Sequence, residues 1–382
     1  MVRIASFNVE NLFERPKAFN TTDLSVGEPA LNAYRDVNAL IKKPEYTPAD
    51  KEEIRDLLVI LDIYSIDAQG TIRRKETLSP KWAWLRKNRG TFDRQPQDPT
   101  QNVEIIANGR GDWIGWIELA KEPTNETGTR MTAKVIQEVA ADILGIIEAE
   151  DRPSLVRFND ELLGGQYRHA MLVDGNDERG IDVGIMTRKD FNIESICSHV
   201  DTEDDIGTVF SRDCPQYEVS TPNGNVVHVL VNHFKSQSGG GGAKRKRQAK
   251  KVREIADKLM QQGKHVIVMG DLNEGPTAGG TQALNLVSLY DNNSLLIDCY
   301  SLAGFNVGNR PGSFDSCGLS NRLDYIFISQ SLQPLFAGGG LFRKGLWGSR
   351  VSRPTEWDTY PEMETSVHQA SDHSLAFVDL NI

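Results

Sequence analysis

Val268-Met269-Gly270-Asp271-Leu272-Asn273-Glu274 reads as an apolar run that ends in an acid and an amide. Residues 266–269 have the near-continuous apolar composition of a strand covered on both faces. Asp271 and Asn273 stand two residues apart, so in extended chain they share a side. An anion beside a neutral amide can hold a polarised water near a phosphate, although Gly, Asp and Asn are also turn formers. The pattern recurs along the chain. Residues 2–9 form a strand that carries Asn8 and leads to Glu10, 143–147 stop at Glu148, and 226–231 alternate toward His233. The strands expected at 325–328 and 375–378 follow directly on Asp324 and on Ser371-Asp372-His373. Strand ends at one edge of a sheet are rigid positions, so polar groups there converge on one cleft.

Between these strands the apolar period changes to that of helices. Helices are expected from Thr129 to about Val139, over 243–260, and over 49–63, where Ile54, Leu57, Leu58 and Leu61 have helical spacing. Strands at 112–119 and 183–186 complete an α/β pattern. Residues 15–125 are the least regular part. The glycine runs 239–242 and 338–340 are expected to be loops.

Composition sets outer limits. The chain has 382 residues, 39% of them hydrophobic, and a net charge of −10. It can bury a full core, and its charge argues against indiscriminate binding to polyanions. Four cysteines without a CxxC pair argue against a zinc knuckle and a disulfide scaffold, and favour buried free thiols. No window reaches the ~18 apolar residues of a membrane span, and the first residues do not read as a signal peptide. A cytoplasmic protein with no membrane partner is the expectation; the oligomeric state stays open.

Several residues have the chemistry of a catalytic centre. Asp372 suits a hard cation, His373 can act as acid or base near neutral pH, and Asp324 can orient a histidine and stabilise its charged form. Glu148, Asn8 and His233 each end a strand, a place where surface Glu and structural His are also ordinary.

Taken together, Phe7-Asn8-Val9-Glu10, Ile147-Glu148, Asn232-His233-Phe234-Lys235-Ser236, Gly270-Asp271-Leu272-Asn273, Arg322-Leu323-Asp324-Tyr325 and Ser371-Asp372-His373 resemble, in order and approximate place, the endonuclease/exonuclease/phosphatase superfamily. The resemblance covers 1–14 and about 129–382. It implies a four-layered α/β sandwich of two packed mixed β-sheets, a single catalytic domain over 1–382 with a large insertion at 15–125. It also implies divalent-metal-dependent hydrolysis of a phosphoester. Carried over by motif, Asn8 and Asp271 would position or activate the attacking water, and Asn273 would hold the phosphate. Glu148 would be the main metal ligand, with Glu10, Asp372 and Asn8 supporting it, and Asp324 would orient His373. His233 matches a second histidine of the pancreatic-type deoxyribonucleases, the inositol-polyphosphate phosphatases and the neutral sphingomyelinases, and Asn-His-Phe-Lys-Ser looks most like bacterial nucleases of the family. The all-oxygen acidic ligands suit Mg²⁺ or Mn²⁺ and not zinc. Arg179-Gly180-Ile181-Asp182 resembles the segment before a central strand, with Asp182 expected near the site as a partner of His233 or as a turn residue.

Other segments bear on the substrate. The run Ala243-Lys244-Arg245-Lys246-Arg247-Gln248-Ala249-Lys250-Lys251 closely follows His233 and Lys235. Lys235, Arg179, Lys244, Arg245, Lys246 and Arg247 are candidate contacts to a nucleic-acid backbone, with a solvated helix face as the bland reading of the run. Trp82, Trp84, Arg86, Lys87 and Arg89 could stack bases, though a packed structural role is the simpler one. Arg343, Lys344, Trp347, Arg350 and Arg353 could line the cleft. The leading expectation is a nuclease, on DNA before RNA. The alternatives are a phosphatase or phosphodiesterase on inositol phosphates or lipid headgroups, and an inactive nucleic-acid-binding module.

Overall fold

The computed structural model describes residues 1–21, 23–75, 80–124, 126–237, 239–277, 280, 282–348 and 350–382. The chain divides into two compact units, Met1–Phe13 with Asn125–Ile382, and Glu14–Thr124.

In the first unit the sheet strands are β1 (Val2–Leu12), β2 (Ile143–Ala149), β3 (Tyr167–Val173), β4 (Asp182–Arg188), β5 (Asn192–Cys197), β6 (Gln216–Ser220), β7 (Val226–His233), β8 (His265–Asp271), β9 (Leu296–Asp298), β10 (Phe305–Asn306), β11 (Asp324–Ser329), β12 (Phe336–Phe342) and β13 (Leu375–Leu380). One mixed sheet has the order β3-β4-β2-β1-β13-β12-β10, the other β5-β6-β7-β8-β11-β9. Period-two alternation separates two faces on each strand. Ile4, Ile143, Ile147, Val183, Val229, Val231, Ile267, Met269 and Ile326 fill the layer between the sheets. On the outer face of the first sheet, Ala5, Phe7, Leu144 and Ile146 meet Met131, Val135 and Ile136 of helix Thr127–Val139 and Phe158 of helix Arg152–Leu162. On the outer face of the second, Leu230, Val268 and Phe327 meet Val252, Ala256 and Leu259 of helix Gly242–Gln261. The unit is thus a four-layered α/β sandwich.

Strand direction places the polar ends. β1 runs parallel to β2, and β7 parallel to β8. β4, β11 and β13 run antiparallel to these neighbours, so each begins where they end.

Two expectations need correction here. Gly338–Gly340 lies inside β12 and not in a loop. A Cβ at Gly339 would stand 2.6 Å from the Phe377 carbonyl oxygen, so these glycines mark close strand approach. Of the free cysteines, Cys197 is exposed, while Cys214, Cys299 and Cys317 are buried.

The second unit is more regular than its sequence suggests. Helix Pro48–Ile60 has a reciprocal cap, with Thr47 Oγ accepting from Asp50 N at 3.1 Å and Asp50 Oδ2 accepting from Thr47 N at 2.8 Å. It packs Ile54 and Leu58 with Val37 of helix Glu28–Leu40, and with Tyr64, Phe92 and Trp113. The basic, aromatic stretch becomes strand Ala83–Gly90, antiparallel to Trp113–Leu119. Two of its cations are tied within the unit, Arg86 to Glu118 and Lys87 to Asp93, while Arg89 is exposed. Short strands such as Glu104–Ile105 carry too few residues for a period to show. No helix among the described residues is long and apolar enough to cross a membrane.

Candidate active site

At the shared strand edge Asn8 links both sheets. Its Nδ2 is 3.2 Å from Glu148 Oε1 and 3.2 Å from Asp271 Oδ2, and 3.5 Å from His373 Nε2. Asp271 is set by Asn273, whose backbone N–H donates to Oδ1 at 2.8 Å and whose Nδ2 donates to Oδ2 at 3.2 Å. His233 is buried, with Nε2 3.5 Å from Glu148 Oε1 and 3.6 Å from Asp271 Oδ2. Three of these residues hold left-handed backbone that L side chains rarely adopt: Glu10 at φ 51°, Glu148 at φ 71° and Asn273 at φ 55°. Each costs roughly 1–2 kcal/mol, and such outliers concentrate where geometry serves function.

The two histidines are driven to opposite protonation states. His373 Nδ1 pairs with Asp324 Oδ2 at 2.7 Å. Burial alone would favour a neutral ring, but the carboxylates of Asp324 and Asp271 outweigh it and hold His373 protonated, well above the ordinary histidine value. Burial pushes His233 well below that value, and the charges of Arg212 and His373 add to the effect. Burial also raises the Asp271 carboxyl, which would let it accept a proton near neutrality.

Beside this group lies an acidic cluster. Glu10 Oε2 accepts from the Asp372 backbone N–H at 2.7 Å. Glu10 is exposed, and crowding by protein atoms, then the charge of Asp372, raises its carboxyl above the ordinary value. Asp372 is likewise raised, by burial and by Glu148. Among the described residues no lysine or arginine forms an ion pair with Glu10, Glu148 or Asp372. The nearest protein cation to these acids is His373, whose Nε2 is 3.8 Å from Asp372 Oδ1, and a concentration of acids of this kind is chemically suited to a divalent metal. Glu148, His233 and Asp271 also bring one ligand atom each within 4.8 Å of the others, a grouping the sequence did not single out.

Some expected residues do not take their expected places. Asp182 accepts from the Gly175 backbone N–H at 2.8 Å and does not bond His233, whose Nδ1 has no hydrogen-bond partner among the described residues. Arg245 is buried and paired with Glu274 at 2.7 Å, so it is no surface contact for a polymer. Arg247 is tied to Asp204, and Arg179 to Asp177. Lys235 and Lys244 are half-buried and Lys246 is exposed. Arg343 donates to the carbonyls of Val307, Arg310 and Gly312, Lys344 pairs with Glu138, Arg350 with Glu356, and Trp347 is buried. These groups tie the loop to residues 307–312 and to helix Thr127–Val139 and are engaged in the fold.

Two residues were not foreseen. Ser313 Oγ donates to Asp324 Oδ2 at 2.6 Å and accepts from the Asp324 N–H at 3.0 Å, fixing the carboxylate that holds His373. Arg212, buried, pairs with Asp177 at 3.0 Å and donates to the carbonyl of Phe234, the residue after His233. Neither stands in an apolar run that ends in a polar residue, the signal that revealed the others.

A four-layered sandwich with acids, amides and two histidines at one sheet edge defines a class, the hydrolases acting on phosphoester bonds. Residues 91–334 match the endonuclease/exonuclease/phosphatase family, and the chain belongs to it. The matched span holds Glu148, His233, Asp271, Asn273 and Asp324; Asn8, Glu10, Asp372 and His373 lie outside it. Among solved structures the chain is similar to a truncated TDP2 of Caenorhabditis elegans, at 20% identity over 66% of this chain and 90% of that one, with a TM-score of 0.46. It is similar to a mannosyl-6-phosphatase of Bacteroides thetaiotaomicron at 18% identity, over 66% and 91%, with a TM-score of 0.49. The catalytic domain of human nocturnin is 15% identical, over 66% and 85%, with a TM-score of 0.49. No curated protein matches the sequence.

Proposed function

We propose that this protein is a nuclease that uses Mg²⁺ or Mn²⁺ to hydrolyse phosphodiester bonds of nucleic acid, DNA before RNA. One observation carries the reading: buried Asp271 and His373, the latter paired with Asp324, flank the same amide, Asn8, beside Glu10, Glu148 and Asp372, which no lysine or arginine pairs among the described residues. A diester anion repels hydroxide. A divalent cation held by the cluster would neutralise that charge, an effect of several kcal/mol.

The chain's own groups supply the rest. Asn8 and Asp271 orient a water, and Asp271 takes its proton as the oxygen attacks phosphorus. Asn273, whose backbone N–H and side-chain amide hydrogens go to Asp271 and to the Phe234 carbonyl, positions the Asp271 carboxylate and has no donor left for the phosphate that its motif implies. As the bond from phosphorus to the leaving oxygen breaks, His373 gives that oxygen a proton, and Asp324 keeps the ring oriented. His233, neutral, is a second donor or acceptor beside the phosphate.

The test uses purified protein with plasmid, single-stranded DNA, RNA, an inositol polyphosphate and bis-p-nitrophenyl phosphate, with Mg²⁺ or Mn²⁺ and with EDTA. Cleavage of a polymer that EDTA abolishes and metal restores is expected. Turnover of the inositol phosphate with every polymer intact would overturn the nuclease reading.

A further inference from the structure

The basic run after His233 divides into clamps and free cations. Arg245 Nε meets Glu274 Oε2 at 2.7 Å, and its Nη1 donates to the carbonyls of Lys235 and Ser236 at 3.0 and 3.1 Å. Glu274 follows Asn273, and Lys235 follows His233 by two residues. One guanidinium therefore joins the ends of β7 and β8. The loop folds back so closely that a Cβ on Gly241 would stand 2.5 Å from the Ser236 carbonyl oxygen and 2.8 Å from Lys235 Cγ. The stem of Lys235 thus lies against the start of helix Gly242–Gln261, the helix that carries Lys244.

Arg247, next along, pairs with Asp204 at 2.5 Å and donates to the Gly207 carbonyl. Lys244 is different. It is half-buried, and its ammonium is pulled below its ordinary value by burial, then by Arg247, Lys235 and Arg212. Arg212 in turn shares the single carboxylate of Asp177 with Arg179. Here cations outnumber acids, the reverse of the cluster around Glu10 and Glu148. Asp204, the acid that faces Lys244, is already bound by Arg247, and Lys235 Nζ donates to the neutral Ser236 hydroxyl at 3.1 Å, so an anion seated between the two ammoniums would be held by charge-assisted hydrogen bonds.

We propose that Lys235 and Lys244 form a phosphate subsite on the rim beside His233 that takes a non-scissile phosphodiester of the polymer, with Arg245 as the clamp that positions it. The inference rests on the nuclease reading and narrows it. Two lysines of the region touch the backbone, and the arginines of the run do not.

Steady-state KM for a fluorescent duplex oligonucleotide, measured from 50 to 200 mM salt, tests this. The proteins are wild type, Lys235→Gln, Lys244→Gln, the double variant, and Lys250→Gln, an exposed lysine further along the helix. Each backbone contact adds about 0.9 to the log–log salt slope. The double variant should lose about 1.8 of that slope, so its KM rises roughly tenfold less across the range. Lys250→Gln should keep the wild-type slope. Arg245→Gln should lower kcat on both the oligonucleotide and bis-p-nitrophenyl phosphate, with partial rescue by Arg245→Lys. A wild-type slope in the double variant, or equal flattening by Lys250→Gln, overturns the subsite and leaves the nuclease reading intact. Wild-type protein that cleaves no nucleic acid overturns the reading beneath both.

Discussion

Asp93 in the second unit and Glu148 in the first show two fates of an acid placed on a strand. Asp93 has a fully buried side chain, with Lys87 at 2.8 Å, Arg74 at 2.7 Å and the Tyr64 hydroxyl at 2.7 Å. Burial alone would raise its pKa, but Lys87, Tyr64 and Arg74 outweigh it and hold the carboxyl below its ordinary value. Glu148 stands among Asp271, Asn8 and His233, near two further acids whose pKa values are raised, and on left-handed backbone. An acid whose cations come from the chain stabilises the fold. Acids gathered with no lysine or arginine partner are those we propose hold a divalent cation.

The contrast breaks most sharply at Glu148. Glu148→Gln should lower kcat on bis-p-nitrophenyl phosphate by about 10³-fold, the several kcal/mol of metal-assisted charge stabilisation. Its melting temperature should stay the same or rise, since repulsion among the acids is relieved. A large loss of stability with little loss of turnover would place Glu148 with Asp93. His373→Ala and His233→Ala should each lower kcat by about 10²-fold or more. A single-turnover assay at saturating substrate reads this directly, and wild-type rates would remove the residue from the chemistry.

The reverse holds at Asp93. Asp93→Ala leaves Lys87 and Arg74 unmatched and should cost about 3 kcal/mol in denaturant unfolding. Because its folded pKa is lowered, the stabilisation by Asp93 is present above the ordinary aspartate value of 3.8 and is lost as pH falls through the folded value. Asp93→Asn should therefore flatten acid unfolding in that window, and an unchanged acid profile would contradict the pairing. The smallest effect is expected at Ser313. Ser313→Ala removes one hydrogen bond to a buried carboxylate, a loss of about 1.5 kcal/mol or roughly tenfold in kcat. KM should hold, and Ser313→Thr should recover part of the rate.

Most of the site was legible because its residues end apolar runs. Asp271 after 266–269 and Glu148 after 143–147 are visible as breaks in strand composition, and strand direction then brings them together. Ser313 was not legible, since Gly312-Ser313-Phe314 carries no period and its role depends on meeting Asp324 eleven residues later. Arg245 was misread because a run of charge on a helix does not reveal which member turns inward to Glu274. Asp182 begins β4 with another partner, the Gly175 N–H seven residues earlier, a pairing that no local pattern shows. The second unit was obscured by strands of two or three residues, too short for alternation to be seen.

Direct titration of Mn²⁺ into the metal-free protein, followed by calorimetry, tests the central claim that the unmatched acids form a cation site. Wild-type protein should show saturable binding, and Glu148→Gln should weaken it by at least about tenfold, the lower range of effects expected at a metal site. Asp93→Asn should bind as wild type does. No saturable binding, or equal affinity in wild type and Glu148→Gln, would contradict the account.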